Sequence, residues 1–210
     1  MKNGILFIGG LSPSAETVKK ITGNTDLICA ADSGLETAVN AGIKPDGIVG
    51  DMDSLKDKAM LNLFPQEIIN IYPQDKDDSD TVIGLKWLKA RNCTSVTLIG
   101  GGEGRLDHTL SLISIFCSEL SVDKWFTALE LIIPLSGRTV LYGETGNTVS
   151  VIPVCSAPWK IESRGLKWEL DELEWNSSIV SLSNRFASDT VELNAGKGKF
   201  LVIRPLEEVL

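Results

Sequence analysis

The amino-acid sequence predicts an α/β protein of two domains. An N-terminal, Rossmann-like domain with a parallel sheet is expected over residues 1–134, and a smaller C-terminal β-sandwich domain over 135–210. Three observations predict this. Short apolar runs alternate with helical patterns through the first two-thirds of the chain. Those runs are almost uninterrupted in their apolarity, as in strands covered on both faces. From about Arg138 onward helical periodicity weakens, and short β-rich runs punctuated by glycine and proline take over.

Taken in order, residues 5–8 read as a buried first strand, and Ser12, Pro13 and Ser14 signal the start of a helix over 15–21. Residues 27–31 form a second strand and 35–41 a helix that stops at Gly42. Short strands follow at 47–49 and 68–72. Within a helix over 81–90, Val82, Ile83, Leu85, Trp87 and Leu88 make a wide apolar stripe. Residues 95–99 carry the β-branched enrichment of a strand, 106–120 read as one apolar helix, and 129–133 close the parallel series. The second domain shows strand runs at 139–142, 148–152 and 199–203, with the boundary between domains expected at 134–137.

The formal net charge of -8 argues against a protein that holds nucleic acid by neutralising many phosphates. It leaves room for a single nucleotide, because a divalent cation can bridge carboxylates and phosphates. The four cysteines are scattered and include no C-x-x-C pair, so a zinc site has little support. Three of them sit in apolar stretches, read as small buried hydrophobes, and imply a reducing compartment. The apolar run in the first ten residues is too short for a signal peptide or a membrane span. A cytoplasmic enzyme is therefore expected.

In a parallel sheet, ligands gather beyond the carboxyl ends of the strands. Three polar motifs fall at such ends. The first runs from Pro45 through Gly50, Asp51, Met52, Asp53 and Ser54. If that segment is extended, Asp51 and Asp53 point to one side, which suits a hard cation. The other reading is a turn, or a cap on a helix starting near Ser54. The second motif crowds Asp75, Asp77, Asp78 and Asp80 around Lys76 and Ser79. Helix capping accounts for one or two of these acids through the macrodipole; four imply a cation that offsets their repulsion. The third is Gly100-Gly101-Gly102-Glu103-Gly104-Arg105-Leu106-Asp107-His108. It lacks both the P-loop lysine and the dinucleotide fingerprint, but its amides, the helix start and Arg105 can hold phosphate. Asp107 is a metal ligand or an anchor for Arg105. His108, the only histidine, is structural or catalytic. Asp32, in Ala31-Asp32-Ser33-Gly34, ends the second strand as a helix cap or a further ligand contact.

In their order and spacing these motifs resemble the thiamine pyrophosphokinase family. Gly165-Leu166-Lys167-Trp168 and Ser181-Leu182-Ser183-Asn184 also match, so the likeness spans nearly the whole chain. The resemblance implies ATP as donor, Mg²⁺ as cofactor, AMP and thiamine diphosphate as products, and a homodimer with sites between subunits. It implies that Asp51, Asp53, Asp77 and Asp80 are the catalytic and metal-binding acids. Asp32, Gly100, Gly102, Gly104, Arg105, Asp107 and His108 would face the ATP phosphates. Lys76, Trp168, Ser183 and Asn184 would meet thiamine, where an aromatic ring suits a cationic thiazolium. Asp77 or Asp80 would accept the hydroxyl proton. The sequence departs from the family pattern at Gly9-Gly10, Ser33, Leu112 and Glu169. Two other readings are a related pyrophosphokinase or nucleotide hydrolase acting on another heterocyclic alcohol, and a non-catalytic nucleotide or thiamine sensor.

Overall fold

A computed structural model describes residues 1–102, 105–120 and 122–210. The chain divides into two compact units, Met1–Ala128 and Leu129–Leu210.

In the first unit, strands β1 (Asn3–Phe7), β2 (Leu27–Ala31), β3 (Gly47–Gly50), β4 (Ile69–Ile71), β5 (Ser95–Ile99) and β6 (Lys124–Phe126) lie in the order β4-β3-β2-β1-β5-β6. Every pairing along this order is parallel. Helices α1 (Ala15–Thr22), α2 (Gly34–Asn40), α3 (Asp80–Lys89) and α4 (Leu106–Ile115) lie between strands in sequence. Ser14 and Ser79 start α1 and α3 by accepting from the Thr17 and Val82 amides. One apolar layer joins Ile5, Phe7, Ala30, Ile48 and Ile99 of the sheet to Val18, Leu35 and Ala38 of the helices. Elsewhere α3 lies tight on the strands. A Cβ on Gly47 would come within 2.2 Å of the Trp87 ring, and one on Gly84 within 2.5 Å of Leu6.

Helix α4 stops at Ile115 rather than at 120. Ser118 Oγ donates to the Ile115 carbonyl, taking an acceptor that a continuing helix needs for its own amides. Strand β6 was not expected; three residues that include a lysine carry too short a pattern to show.

The second unit holds two antiparallel sheets. One has the order β11-β9-β13-β7, from β7 (Glu130–Leu135), β9 (Thr148–Pro153), β11 (Ser181–Arg185) and β13 (Phe200–Pro205). The other is β10-β12-β8, from β8 (Arg138–Tyr142), β10 (Glu162–Arg164) and β12 (Thr190–Asn194). Val149, Val151, Phe200 and Val202 of one sheet and Leu141, Val191 and Leu193 of the other fill the layer between them. The expected sandwich is present. Strand β7, however, does not close the parallel series. Its six residues pair antiparallel with β13, so the units divide at Ala128 and Leu129, before the expected 134–137.

Cys29 and Cys93 are buried, whereas Cys117 and Cys155 are exposed, against the expectation that most cysteines are core hydrophobes. Burial pushes the Cys29 thiol up to about 12. At pH 8 the thiolate is then populated at roughly one part in 10⁴, and the thiolate is the reactive form. Cys29 is expected to stay unmodified by iodoacetamide in the native protein and to react once guanidinium unfolds it. Mass spectrometry of the Cys29 peptide checks this; native labelling at the denatured rate contradicts it.

Candidate active site

Parallel strands end on one edge, and the register brings Gly9-Gly10 after β1, Asp32 after β2, Asp51 after β3 and Asp77–Asp80 after β4 to that edge. An open cavity of about 780 Å³ lies there. Its lining includes Gly9, Asp32, Lys76, Asp77, Asp80 and Arg105.

The backbone at this edge leaves the extended conformation. Asp32 has φ 49° and Met52 φ 60°, a left-handed region that costs non-glycine residues about 1–2 kcal/mol. The bend at Asp32 is held by the Asp32 amide donating to Val49 O and the Leu35 amide donating to Asp32 O. Helix α2 thus starts without a side-chain cap, and the Asp32 carboxylate is left over. Ser54 Oγ donates to its Oδ2. At Met52 the turn buries the methionine and lets Asp51 Oδ1 accept the Asp53 amide. Asp51 and Asp53 therefore do not share one side. Asp53 is exposed and accepts from Gln74 Nε2 at 3.2 Å. No helix starts at Ser54; the next turn of 3₁₀ helix begins at Lys58.

The residues that meet are Asp32, Asp51 and Asp80. One oxygen from each lies within 4.8 Å of the others. Lys76 sits among them, its Nζ 2.8 Å from Asp51 Oδ2 and 3.2 Å from Asp80 Oδ1. Lys76 and Asp51 side chains are 14% and 11% exposed. Asp32 Oδ1 is buried without a hydrogen bond, and the buried Asp80 Oδ1 has only the Lys76 ion pair beside it. Electrostatics follow. Burial pushes the Asp32 and Asp80 carboxyls above their ordinary range, against the Ser54 bond at Asp32 and the Lys76 bond at Asp80. The Lys76 bond holds Asp51 below it. Desolvation would lower Lys76, but its bonds to Asp51 and Asp80 raise it. One ammonium does not balance three carboxylates, and the buried Asp32 Oδ1 still lacks a donor. A hard divalent cation with oxygen ligands fits this donor set.

Of the other expected residues, Asp77 is exposed and lines the cavity, outside the carboxylate triad. Arg105 and Asp107 also line it and pair with each other at 2.6 Å, both largely exposed; His108 lies beside them. The glycine loop is used differently from the expectation. The Gly100 amide donates to Phe126 O and the Gly101 amide to Gly9 O, so neither faces a phosphate. Gly102 O accepts from Leu11, and Gly102 does not line the cavity. These glycines serve close packing: a Cβ on Gly100 would lie 2.3 Å from Ile8 O, at φ 110°. Gly104 lies outside the described residues.

In the second unit Trp168 is 56% exposed, and Lys167 Nζ lies 4.5 Å from the centre of its ring. Ser183 is exposed in a left-handed turn, φ 53°. Asn184 is 2% exposed and cannot offer its amide to a ligand. Its Nδ2 donates to Trp168 O at 2.7 Å, and its Oδ1 accepts from the Trp168 and Arg185 amides. Glu169 Oε1 accepts the Gly165 and Leu166 amides. Together these two side chains hold the turn that exposes Trp168. Sequence reasoning missed Ser33, Ser54, Gln74 and Ser111, which line the cavity. Their one signal was position just beyond a strand end or on a helix facing that edge.

Residues 18–125 match the family model described as thiamin pyrophosphokinase, catalytic domain, and residues 137–200 the model described as thiamin pyrophosphokinase, vitamin B1 binding domain. Thiamine pyrophosphokinase of Bacillus subtilis (strain 168) is 22% identical over 197 residues, which cover 89% of this chain and 92% of that one. The crystal structure of thiamin pyrophosphokinase from Geobacillus thermodenitrificans superposes with a TM-score of 0.79 at 22% identity, covering 100% of both chains. Yeast thiamin pyrophosphokinase gives 0.79 at 18% identity, covering 100% of this chain and 88% of the yeast chain.

Proposed function

The chain belongs to the thiamin pyrophosphokinase family and transfers pyrophosphate from ATP to thiamine, and we propose that Asp32, Asp51 and Asp80 hold the Mg²⁺ this transfer uses. The observation that carries the assignment is the convergence of the three carboxylates on one point, with Asp32 Oδ1 buried and without a hydrogen bond and a single ammonium among them. Bound there, Mg²⁺ would spread charge on the phosphates and help position them. Asp53, exposed and tied to Gln74, is left to support the turn.

In the reaction the thiamine hydroxyl oxygen forms a bond to the β-phosphorus, the bond from that phosphorus to the oxygen bridging the α-phosphorus breaks, and AMP leaves. Such transfers depend mainly on positioning and charge stabilisation. Arg105 lines the cavity with a fork suited to phosphate, and Asp107 orients it. Asp32, Asp51 and Asp80 are committed to the cation, so the hydroxyl proton goes to Asp77, which lines the same cavity outside the triad. His108 stands beside Arg105 as a further phosphate contact.

Trp168 and Ser183 supply the thiamine contacts of the second unit, with Asn184 behind Trp168. An exposed indole held from below by Asn184 and Glu169 suits a cationic ring. Such contacts contribute about 0.5–2 kcal/mol. Trp168→Ala is then expected to raise the KM for thiamine about 2- to 30-fold while the KM for ATP stays put. Steady-state kinetics in both substrates decides it, and an equal rise in both constants removes Trp168 from the thiamine site. The assembly proposed is a homodimer with its sites between subunits, located in the cytoplasm. No helix among the described residues is long and apolar enough to cross a membrane. Sedimentation of the purified chain tests the dimer.

Incubation with ATP, Mg²⁺ and thiamine, with products resolved, tests the whole reading. AMP and thiamine diphosphate are expected. ADP with thiamine monophosphate, or hydrolysis of ATP alone, would overturn it. The retained triad argues against a non-catalytic sensor, for which buried carboxylates without a cation would be a pure cost.

A further inference from the structure

Lys76 lies where a cation bound between Asp51 and Asp80 has to lie. Its ammonium is within 2.8 Å of Asp51 and 3.2 Å of Asp80, the two carboxylates that complete the proposed metal set with Asp32. It reaches them from the loop between β4 and α3, and its side chain is almost fully covered there. An ammonium and a divalent cation compete for the same carboxylate faces: both need close oxygen contact, and like charges at that separation repel strongly in a partly desolvated site. We propose that Lys76 is the resident counter-charge of the metal-free protein and leaves Asp51 and Asp80 when a divalent cation enters.

This inference rests on the metal assignment made above, and it explains two features of the site. Without Lys76, three crowded carboxylates, two carrying buried unsatisfied oxygens, would face each other with no positive charge among them. With Lys76 the cluster is held together before the cation arrives. Lys76 also lines the cavity, so once released its ammonium stays where phosphate oxygens would lie. The exchange makes Lys76 a positioning residue for the acids in the absence of metal and a free charge in its presence. Lys86, exposed and paired with Asp78 outside the triad, has no such competitor and serves as an internal reference.

The test uses the full-length, metal-free protein without nucleotide. Cation binding is followed by Mn²⁺ electron paramagnetic resonance. The access of each lysine is followed by brief acylation with an amine-reactive ester and mass spectrometry. Lys76 is expected to label slowly in the metal-free protein and several-fold faster with saturating Mg²⁺, while Lys86 labels at one rate in both. Lys76→Met is expected to bind Mn²⁺ about tenfold more tightly than the parent, and Lys86→Met to bind as the parent does. Mn²⁺ binding with no change in Lys76 labelling, or binding weakened in Lys76→Met, overturns the exchange and leaves the metal site standing. No Mn²⁺ binding to the parent or to Lys76→Met overturns the metal site itself.

Discussion

Asp80→Asn is expected to lower kcat for thiamine diphosphate formation by on the order of 10²–10³-fold and to remove the stabilisation that Mg²⁺ gives the fold. The two effects have one cause. Asp80 Oδ1 is buried with only the Lys76 ammonium beside it, and burial pushes the carboxyl above its usual range against that contact. In the metal-free protein the Lys76 ammonium offsets part of that charge, and a bound divalent cation would offset more. Asparagine removes that charge at nearly constant shape, but its amide is a poor ligand for a hard cation. The loss falls on the transition state, where charge on the transferring group is largest. Single-turnover rates with saturating ATP and Mg²⁺ measure the first effect, and urea midpoints with Mg²⁺ and with chelator measure the second. By linkage, Mg²⁺ raises the midpoint of the parent but not that of the variant. Near-normal turnover in Asp80→Asn would remove Asp80 from the metal set. Asp53→Asn, outside the triad, is the comparison that should cost far less.

Gly34→Ala is expected to destabilise the first unit by about 2–3 kcal/mol, or about 5–10 °C in Tm. A Cβ at Gly34 would lie 2.3 Å from Phe7 O and 2.6 Å from the Ile8 amide nitrogen. The obstacle is the backbone of β1, in the centre of the sheet, which cannot rotate away as a side chain can. Relief requires α2 to lift off, and α2 begins two residues after Asp32. Activity should therefore fall together with stability. Gly42→Ala separates this clash from simple glycine strain. Gly42 has φ 70° and open space around its Cβ position, so its substitution costs about 1 kcal/mol and leaves the site alone. Equal denaturation midpoints for the two variants would mean that β1 yields, and that close packing at Gly34 does not hold the Asp32 turn.

Much of the fold was legible in the chain because its signals are local. Strand–helix alternation and apolar strands predict the parallel sheet, and β2, β5 and α1 fall within a residue of their expected limits. The strand-end rule then places the acidic motifs at one edge without any contact being known. Strand β7 escaped the same logic. Its apolar run is as fit for a parallel partner as for β13, and only the register of Ile132 and Ile133 against Ile203 and Val202 assigns it to the second unit.

The candidate site divides along the same line. By itself the sequence determines that acids, a lysine and glycines crowd three strand ends, and its motif order carries the family and hence the acceptor. Tertiary structure decides which of these side chains meet. Asp51 and Asp53 are separated by one residue, yet the left-handed turn at Met52 divides them. Asp32 comes into the triad from 19 positions away because β2 and β3 pair in parallel, with Ala31 beside Val49. Lys76, expected at the substrate, lies between Asp51 and Asp80, and the buried Asn184, expected at the ligand, supports Trp168. Residue types and spacing fix what chemistry is available. Backbone turns and strand register, set by burial across the whole domain, choose which groups share a cavity.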